Sequence, residues 1–553
     1  MASERPDSAK SRRHRFRLRR RQFNREFDFR PPCFSEFPRI LLPATSVMKL
    51  LGFLLLLLAA VNAGQNDHMV VKVTPWCTDQ VNFLRSLHYS SDLQLDFWTR
   101  PTRVSQPVHV MLPVHQWLAL IIRLNEHLIP HEVVIANVER ELEERFKEMR
   151  KRRDASSTGE ATNEAQAFNL SMFNTYEDIT GYLLSLERSY PDRVAVESIG
   201  KTHEQRDIYL VKITPANSSS VTNASSEEAE EKRAVWIDAG IHAREWAAPA
   251  SILLTIQKLV EGYENATEAF KNLIDSFEWY IVPVLNPDGY VYSMENPDNR
   301  LWRKNRSPVV CFNMTESGLF NKTINPSQVE MLKAMHESCC PGVDLNRNFD
   351  WHWGEVGGIS AMDPCKEYYG GVGPFTEPET RAVRDFLTGH KSKFVVFLSF
   401  HSYSQVILYS YNHKVCTDPE DVEDVREAAL RAADAMLASS GSVYTFGAGG
   451  THLYPGSGYS VDWAKGVLNI KYSYIIELSP DGGHNWTAFL MPEEDIPVVG
   501  GDVWAAVKAF AEAADEFLRK DTPNVSPAST LSTASHATCG WLSVGIGGMC
   551  LLR

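Results

Sequence analysis

The chain has 553 residues, 44% of them hydrophobic, and a formal net charge of −13. This length leaves room for two or three domains, and the composition suits soluble globular cores. Residues 1–47 carry eleven Arg and one Lys against five acidic residues, so the remainder stands near −20. Such an acidic remainder argues against nucleic-acid binding.

A secretory signal peptide is predicted over residues 48–63, where one Lys precedes an apolar run and small residues in a V-N-A cleavage pattern. The run is short for a bilayer span, so we expect a secreted, extracellular protein without membrane association. We interpret residues 1–47 as a gene-model extension upstream of a start at Met48; the rival interpretation is the basic N-region of a signal anchor. Nine N-x-S/T sequons agree with the secretory pathway: Asn169, Asn217, Asn223, Asn265, Asn305, Asn313, Asn321, Asn485 and Asn524.

Residues 66–153 are predicted to form a small separate domain. Strand patterns at 70–74, 93–98, 108–112 and 132–136 and helical patterns at 80–87 and 115–127 follow the β-α-β-β-α-β order of a ferredoxin-like fold. A charged helix over 137–153 ends in the basic cluster from Arg150 to Arg153, and residues 154–167 are a small, polar linker. We expect a protease that cuts after basic residues to cleave there; the alternative is a solvated connecting helix.

Residues 168–520 are predicted to form an α/β domain with one large mixed β-sheet flanked by helices. Its strand candidates are 208–213, 235–238, 279–284, 394–400, 406–411 and 474–478, and an amphipathic helix over 503–518 closes it. Residues 521–553 form a Ser/Thr/Pro linker and a weakly apolar tail, which we interpret as disordered; the alternative is a lipid-anchor signal.

Nine Cys in so long a chain do not make a disulfide scaffold, although an oxidising compartment permits pairs. Cys340 and Cys365 bracket a loop-rich segment and are the best pair, followed by Cys311 and Cys339. Cys77 and Cys416 have no obvious partners in the sequence.

A possible metal centre begins where an apolar strand gives way to a helix, at His242-x-x-Glu245. His401 ends another apolar strand, and the carboxyl ends of strands are where α/β sheets gather ligands. Two His and one carboxylate with a fourth position for water are typical of catalytic zinc. Asp344 is a candidate outer acceptor for one imidazole.

Several further motifs share an order and spacing with one family: Asn286-Pro-Asp-Gly-Tyr290, Asn299-Arg-Leu-Trp-Arg303, the segment from Gly342 to Asp350, His401-Ser-Tyr403, Tyr454 and Ile475-Ile-Glu477. From residue 66 to 520 the chain resembles zymogens of the zinc metallocarboxypeptidases of the digestive A/B type. The resemblance implies the zinc carboxypeptidase fold behind a ferredoxin-like prodomain. It also implies one Zn²⁺ per catalytic domain, with His242, Glu245 and His401 as ligands.

The resemblance also implies roles for other residues. Glu477 corresponds to the general base and Arg303 to the cation that stabilises the oxyanion, as this hydrolysis requires. Arg347, flanked by Asn346, corresponds to the residue that binds the free carboxylate, and Tyr454 to a mobile phenol that closes over substrate. Arg244, Arg300 and Tyr403 correspond to accessory substrate contacts.

Specificity is expected to follow the residue before the Asp-Trp pair of the segment 459–463, which in this family tends to be apolar in A-type and acidic in B-type enzymes. Here it is Val461, and Ile475 adds apolar surface, so we expect release of aliphatic or aromatic C-terminal residues. The alternatives are a B-type enzyme that releases Lys or Arg, and a non-catalytic peptide-binding protein on the same fold.

The expected partners are the C-termini of peptides or proteins, an activating protease, and the chain's own prodomain as an intramolecular inhibitor. Two features modify these expectations. The insertion between Arg303 and Asp344 contains three sequons. Because Asn305 lies two residues from Arg303, a glycan there would crowd the site, so we expect low occupancy.

Overall fold

The structure is a computed structural model, and it describes residues 67–88, 93–157, 168–215, 233–263, 266–312, 338–357, 362–390, 394–480 and 487–521. The predicted extension, signal peptide and tail lie outside these residues, as do all sequons except Asn169 and Asn305. The chain divides into two compact units, residues 1–138 and 139–553. No helix in the described segments is long and apolar enough to cross a membrane.

The N-terminal unit contains one antiparallel sheet. Its strands are β1 (His68–Val73), β2 (Asp96–Phe97), β3 (Val108–Pro113) and β4 (His131–Ile135), and its helices are α1 (Thr78–His88) and α2 (Trp117–Glu126), the latter preceded by a 3₁₀ turn, Val114–Gln116. The strand order is β2-β3-β1-β4. This order and the β-α-β-β-α-β sequence confirm the predicted ferredoxin-like fold.

The C-terminal unit contains the remaining elements. Its strands are β5 (Val194–Lys201), β6 (Asp207–Ile213), β7 (Ala234–Ala239), β8 (Glu278–Val282), β9 (Val310–Cys311), β10 (Cys339–Cys340), β11 (Phe394–Ser402), β12 (Val406–Tyr409), β13 (Thr445–Ala448) and β14 (Tyr472–Leu478). Its helices are α3 (Val138–Ser157), α4 (Tyr176–Ser189), α5 (Ala247–Val260), α6 (Glu268–Asp275), α7 (Pro287–Glu295), α8 (Pro378–Gly389), α9 (Val422–Ser440), α10 (Gly449–His452), α11 (Ser460–Gly466) and α12 (Ile496–Asp521).

One large mixed sheet organises this unit, with the strand order β13-β12-β14-β11-β7-β8-β6-β5. The central strands β14, β11, β7 and β8 are parallel, whereas β12, β6 and β5 introduce antiparallel pairs. Alternate residues of β7 face opposite sides: Val235 and Ile237 pack in one hydrophobic core and Trp236 in the other. The predicted mixed sheet covered by helices is confirmed.

Two strands of this large sheet, β5 and β13, were not predicted. Neither sequence contains a long apolar run, which is the signal by which the other strands were predicted. Most residues of β5 are exposed or half-buried, and β13 has the sequence Thr-Phe-Gly-Ala. Both occupy the outer positions of the sheet, where a strand needs less apolar surface.

The charged helix α3 continues past the basic cluster to Ser157, so it is longer than predicted. The predicted linker therefore begins as helix, and residues 158–167 lie outside the described residues.

Both predicted disulfides are present. Cys340 is bonded to Cys365, and Cys311 to Cys339, which also pair as β9 and β10. Cys77 and Cys416 are disulfide-bonded as well. Peptide mapping without reduction would identify the partner of each.

Candidate active site

The carboxyl ends of three neighbouring parallel strands bring the predicted ligands and base together. His242 and Glu245 follow β7, His401 lies near the end of β11, and Glu477 lies near the end of β14. Because β7, β11 and β14 are adjacent and parallel, these ends meet at one edge of the sheet. His401 and Glu477 are direct cross-strand neighbours.

A left-handed glycine makes the turn after β7. Gly240 has φ +65°, and a Cβ atom there would lie 3.0 Å from Pro249 Cγ and 3.4 Å from Val284 Cα. A side chain at this position is therefore strained by backbone and crowding alike. The turn carries the chain from β7 to His242.

Three ligand atoms converge beside this turn. His242 Nδ1 lies 2.8 Å from Glu245 Oε1, and His401 Nδ1 lies 3.1 Å from both Glu245 Oε2 and His242 Nδ1. Each of these residues is at most 3% exposed. Facing imidazole nitrogens with a buried carboxylate fit a divalent cation, and the donor set of two His and one Glu suits zinc.

The outer nitrogen of His242 is held by Asp344, as predicted for one imidazole. Nε2 lies 3.0 Å from Asp344 Oδ1, while Arg303 Nη2 donates to Asp344 Oδ2 at 3.0 Å. Burial raises the pKa of Asp344, but Arg303 and His242 outweigh it and hold that pKa well below its usual value. Asp344 is therefore an anion that orients both groups.

Arg303 also lies beside the ligands, with Nη1 3.4 Å from Glu245 Oε1. The backbone carbonyls of Arg303 and of the next residue, Lys304, are both hydrogen-bonded. Ala243 N donates to Arg303 O at 3.0 Å, and Asn286 Nδ2 donates to Lys304 O at 3.1 Å. Asn286 also caps α7 by accepting from Gly289 N, which explains its place in the Asn286-Pro-Asp-Gly-Tyr290 motif.

Glu477 is partly exposed, and desolvation raises its pKa to about 7. Glu245 adds to the rise, whereas His401, Arg303 and Arg347 oppose it. A carboxylate with this pKa can both take up and release a proton near neutral pH.

Arg347 and Tyr454 approach each other beside the ligands. Arg347 ends the 3₁₀ turn Leu345–Arg347, donates to Asn346 O at 2.6 Å, and places Nη2 3.5 Å from Tyr454 Oη. Its guanidinium lies 4.1 Å above the ring of Tyr459. Asn346 faces the ligands instead: Nδ2 lies 3.4 Å from His401 Nε2, and Oδ1 accepts from Ser460 N.

Val461 belongs to a small apolar cluster in the first turn of α11. It is fully buried and packs with Ile475 of β14, with Val406 and Leu408 of β12, and with Tyr459. The residues that form this cluster are all uncharged.

Three other predicted substrate contacts surround Phe489. Arg244 lies 4.4 Å above its ring, and Tyr403 packs edge-on at 5.0 Å. Arg300 is only 3% exposed: it donates to the carbonyl oxygens of Arg244 and Phe489 and lies 3.6 Å above Trp246. Arg300 thus holds the backbone of Arg244 and of Phe489, whose ring the side chains of Arg244 and Tyr403 both contact.

Two family models match the chain: zinc carboxypeptidase over residues 179–506 and carboxypeptidase activation peptide over residues 71–145. The chain belongs to the zinc carboxypeptidase family. Carboxypeptidase A2 of Rattus norvegicus is 31% identical over 443 residues, covering 80% of this chain and 93% of that protein. Carboxypeptidase B of the same species is 31% identical over 480 residues, covering 84% and 100%. The solved structure of carboxypeptidase A from Helicoverpa armigera has a TM-score of 0.66 at 27% identity, covering 82% and 99%.

The resemblance to A/B-type zymogens is thereby confirmed. The protein is a metallocarboxypeptidase, its cofactor is zinc, and an activation peptide precedes the catalytic domain. His242, Glu245 and His401 form its candidate zinc site.

In this carboxypeptidase, helix α3 packs beside the accessory residues. Phe146 lies 6.1 Å from the Trp246 ring. Arg152 pairs with Glu493 at 2.5 Å, and Arg153 donates to Phe173 O at 3.3 Å. The predicted cleavage cluster is therefore helical, and two of its four residues are engaged with the catalytic unit. A protease must unwind this turn to reach an extended backbone.

Ser399, which contacts the outer nitrogen of His401, was not predicted from the sequence. Ser399 Oγ lies 3.2 Å from His401 Nε2. The signal was present in Ser399-Phe-His401, because residues two apart on a strand share a face.

Proposed function

We propose that this zinc carboxypeptidase is a secreted zymogen that removes aliphatic or aromatic residues from the C-termini of peptides and proteins. The observation that carries the proposal is the uncharged apolar cluster around Val461, whose member Tyr459 lies 4.1 Å below the guanidinium of Arg347, together with the candidate zinc site. The signal-like segment 48–63 supports secretion.

The reaction adds water across the last peptide bond, so the carbonyl carbon gains oxygen and the amine nitrogen gains a proton. His242, Glu245 and His401 would hold zinc, which supplies a Lewis acid and lowers the pKa of water to about 7. Glu477 takes a proton from the attacking water and returns it to the leaving nitrogen. The pKa of about 7 at Glu477 supports this role.

Arg303 stabilises the negative charge that develops on the carbonyl oxygen. Its anchoring by Asp344 and by the backbone of Ala243 supports this role, because a fixed cation needs little reorganisation when charge develops.

The free carboxylate of the substrate binds Arg347, with Asn346 and Tyr454 beside it. A guanidinium offers paired donors to a carboxylate, and the 3.5 Å approach of Tyr454 Oη to Arg347 supports closure of the phenol over it. Arg244 and Tyr403 contact residues before the scissile bond, and Arg300 acts as an accessory residue through the carbonyls it holds.

Val461 sets the preference for apolar C-terminal residues. A Lys or Arg side chain buried against this cluster would lack a counter-charge, which is costly. Carboxypeptidases A2 and B of Rattus norvegicus are both 31% identical to this chain, so the residues around Val461 are the better guide. The B-type reading remains the second candidate, and the retained ligands, base and Arg303 argue against a non-catalytic binding protein.

The test uses the full chain before and after limited trypsin treatment, with peptides that end in Phe, Leu, Lys or Glu. Activity should appear only after cleavage near Arg150 to Arg153, favour Phe and Leu, and disappear with a zinc chelator. Val461→Asp should raise the Lys-to-Phe ratio of kcat/KM by about tenfold or more. Preferential release of Lys by the unaltered enzyme would overturn the A-type assignment.

A second variant tests the base. Glu477→Gln should lower kcat by about 10²–10⁴-fold while substrate binding persists. Full turnover in Glu477→Gln would remove Glu477 from the mechanism.

A further inference from the structure

The two imidazoles of the candidate zinc site are held in different ways on their outer sides. His242 Nε2 meets a carboxylate directly, at 3.0 Å from Asp344 Oδ1. His401 Nε2 meets a hydroxyl, at 3.2 Å from Ser399 Oγ. Ser399 in turn donates to Asp238 Oδ1 at 2.6 Å. Neither Ser399 nor Asp238 lies in the space where the three ligand atoms meet.

Sheet register brings this chain of groups together. Ser399 and His401 are two residues apart on β11, and Ser399 is the cross-strand neighbour of Asp238 on β7. Trp236, two residues before Asp238, donates from Nε1 to Asp238 Oδ2 at 2.7 Å. All four side chains are at most 1% exposed, so water does not compete for these contacts.

The direction of the hydrogen bonds fixes the proton on His401. Each oxygen of Asp238 accepts one bond, from Ser399 and from Trp236. The single hydroxyl proton of Ser399 therefore points to Asp238, and its oxygen is left to accept from His401 Nε2–H. A neutral imidazole that carries its proton on Nε2 has its lone pair on Nδ1, the atom that faces His242 and Glu245.

A second contact to His401 Nε2 competes with Ser399. The hydrogen-bond chain from Asp238 through Ser399 to His401, here called the relay, is therefore needed to keep the proton on Nε2. Asn346 Nδ2 lies 3.4 Å from His401 Nε2 and is itself a donor. A 180° flip of the Asn346 amide would place its oxygen toward His401, but it would lose the hydrogen bond that Asn346 Oδ1 accepts from Ser460 N at 2.9 Å. If the hydroxyl of Ser399 were absent, Asn346 would favour a proton on Nδ1, which is the wrong tautomer for a metal ligand.

We propose that Ser399 and Asp238 are positioning residues that fix the tautomer and orientation of His401, and so set the affinity of the candidate zinc site. The proposal rests on the assignment of His401 as a zinc ligand. It assigns no contact with substrate to either residue.

The experiment measures zinc content and zinc affinity of the full chain by competition with a chromogenic chelator. Ser399→Ala should weaken zinc binding by about 10–100-fold, as loss of an outer hydrogen-bond partner does at other zinc sites. Asp238→Asn should weaken it as well. Ser399→Thr, which retains the hydroxyl, should restore most of the affinity.

Ser473→Ala is the matched control. Ser473 is a buried serine on the neighbouring strand β14 and donates to Ile470 O at 2.8 Å, in the half of the strand that lies away from the ligands. Its loss should leave zinc affinity unchanged while costing a similar buried hydrogen bond. After trypsin treatment, Ser399→Ala should regain kcat when zinc is added, with KM unaltered.

Zinc affinity of Ser399→Ala and Asp238→Asn within twofold of the unaltered protein would overturn the proposal. Failure of the unaltered protein to bind one zinc would instead overturn the site on which it rests. Urea unfolding of each zinc-free variant separates a folding defect from a weaker zinc site. If the zinc affinity falls only in proportion to the free energy of unfolding, the relay is rejected.

Discussion

Among the residues that the structure describes, two clusters of His and carboxylate side chains lie in the C-terminal unit, and only one follows the parallel strands. The first is His242, Glu245 and His401. The second is His203, Glu377 and Glu379, whose possible ligand atoms also lie within 4.8 Å of one another. Glu377 and Glu379 are both buried.

The difference lies in what fills the centre of each cluster. In the second, Asn305 Nδ2 donates to Glu377 Oε2 at 2.8 Å and to Glu379 Oε2 at 3.0 Å, and His203 Nε2 lies 2.9 Å from Glu377 Oε2. In the first, the three ligand atoms face one another directly. The residue types that bind metals thus identify a site only when no other side chain already bridges them.

The largest expected effect comes from removing one carboxylate from each cluster. Glu245→Gln should lower zinc content and reduce kcat/KM by about 10³-fold or more, because bound zinc is worth several kcal/mol to the reaction. Glu379→Gln should retain one zinc per chain and nearly full activity. Metal analysis and peptide hydrolysis on trypsin-treated protein measure both.

A second zinc that Glu379→Gln removes would contradict this contrast between the clusters. So would full zinc content in Glu245→Gln.

The sequence predicted the first cluster because its members end recognisable strands. His401 follows an apolar run, and the His242-x-x-Glu245 pair follows another, so parallel pairing brings them together. The second cluster gave no such signal. His203 lies in a polar turn and Glu377 just before α8, and they meet through the packing of distant segments around Asn305. That packing depends on side-chain directions that no local pattern carries.

Helix α3 shows another limit of the sequence. Its composition predicted a charged helix that ends in a cleavable basic cluster, whereas the packing of Phe146 near Trp246 and the pairing of Arg152 with Glu493 are tertiary contacts that no local pattern shows. Similarly, the Arg300 guanidinium was predicted from its motif, whereas its use on two backbone carbonyls required the fold.

The next effect is on stability. Asn305→Leu should lower the free energy of unfolding by about 2–4 kcal/mol, because it leaves two buried carboxylates without their shared donor. It also removes the acceptor Oδ1, which receives the backbone N–H groups of Val343 and Ser307 at 2.9 and 3.2 Å. Urea unfolding of the full chain measures this loss; an unchanged midpoint would show that Asn305 does not hold the cluster together.

A smaller effect is expected on the pH dependence of stability. Burial raises the pKa of Glu379 to about 7, with Glu377 adding to the rise, and the hydrogen bond to Glu377 raises the pKa of His203. Both groups hold more protons when folded than when unfolded. Their contribution to stability is therefore lost as pH rises. For Glu379 this loss occurs between pH 4.5, its pKa in the unfolded chain, and about pH 7, its pKa in the folded protein.

Urea midpoints at pH 5.5 and pH 8 of the unaltered protein and of Glu379→Gln measure this contribution. The fall in stability with rising pH should be smaller in the variant, by at most about 1.4 kcal/mol for each pH unit within that interval. An equal or steeper fall in Glu379→Gln would show that Glu379 does not titrate in this way.

The smallest expected effect concerns glycosylation, where two described sequons differ. Asn305 is fully buried, and its Nδ2, the atom to which a glycan attaches, donates to two carboxylates. Asn169 is exposed and uses Oδ1 to accept from Ser171 N at 2.9 Å. Glycopeptide mass spectrometry of the protein should find occupancy at Asn169 well above that at Asn305. A fully occupied Asn305 in active enzyme would mean that the amide does not bridge Glu377 and Glu379.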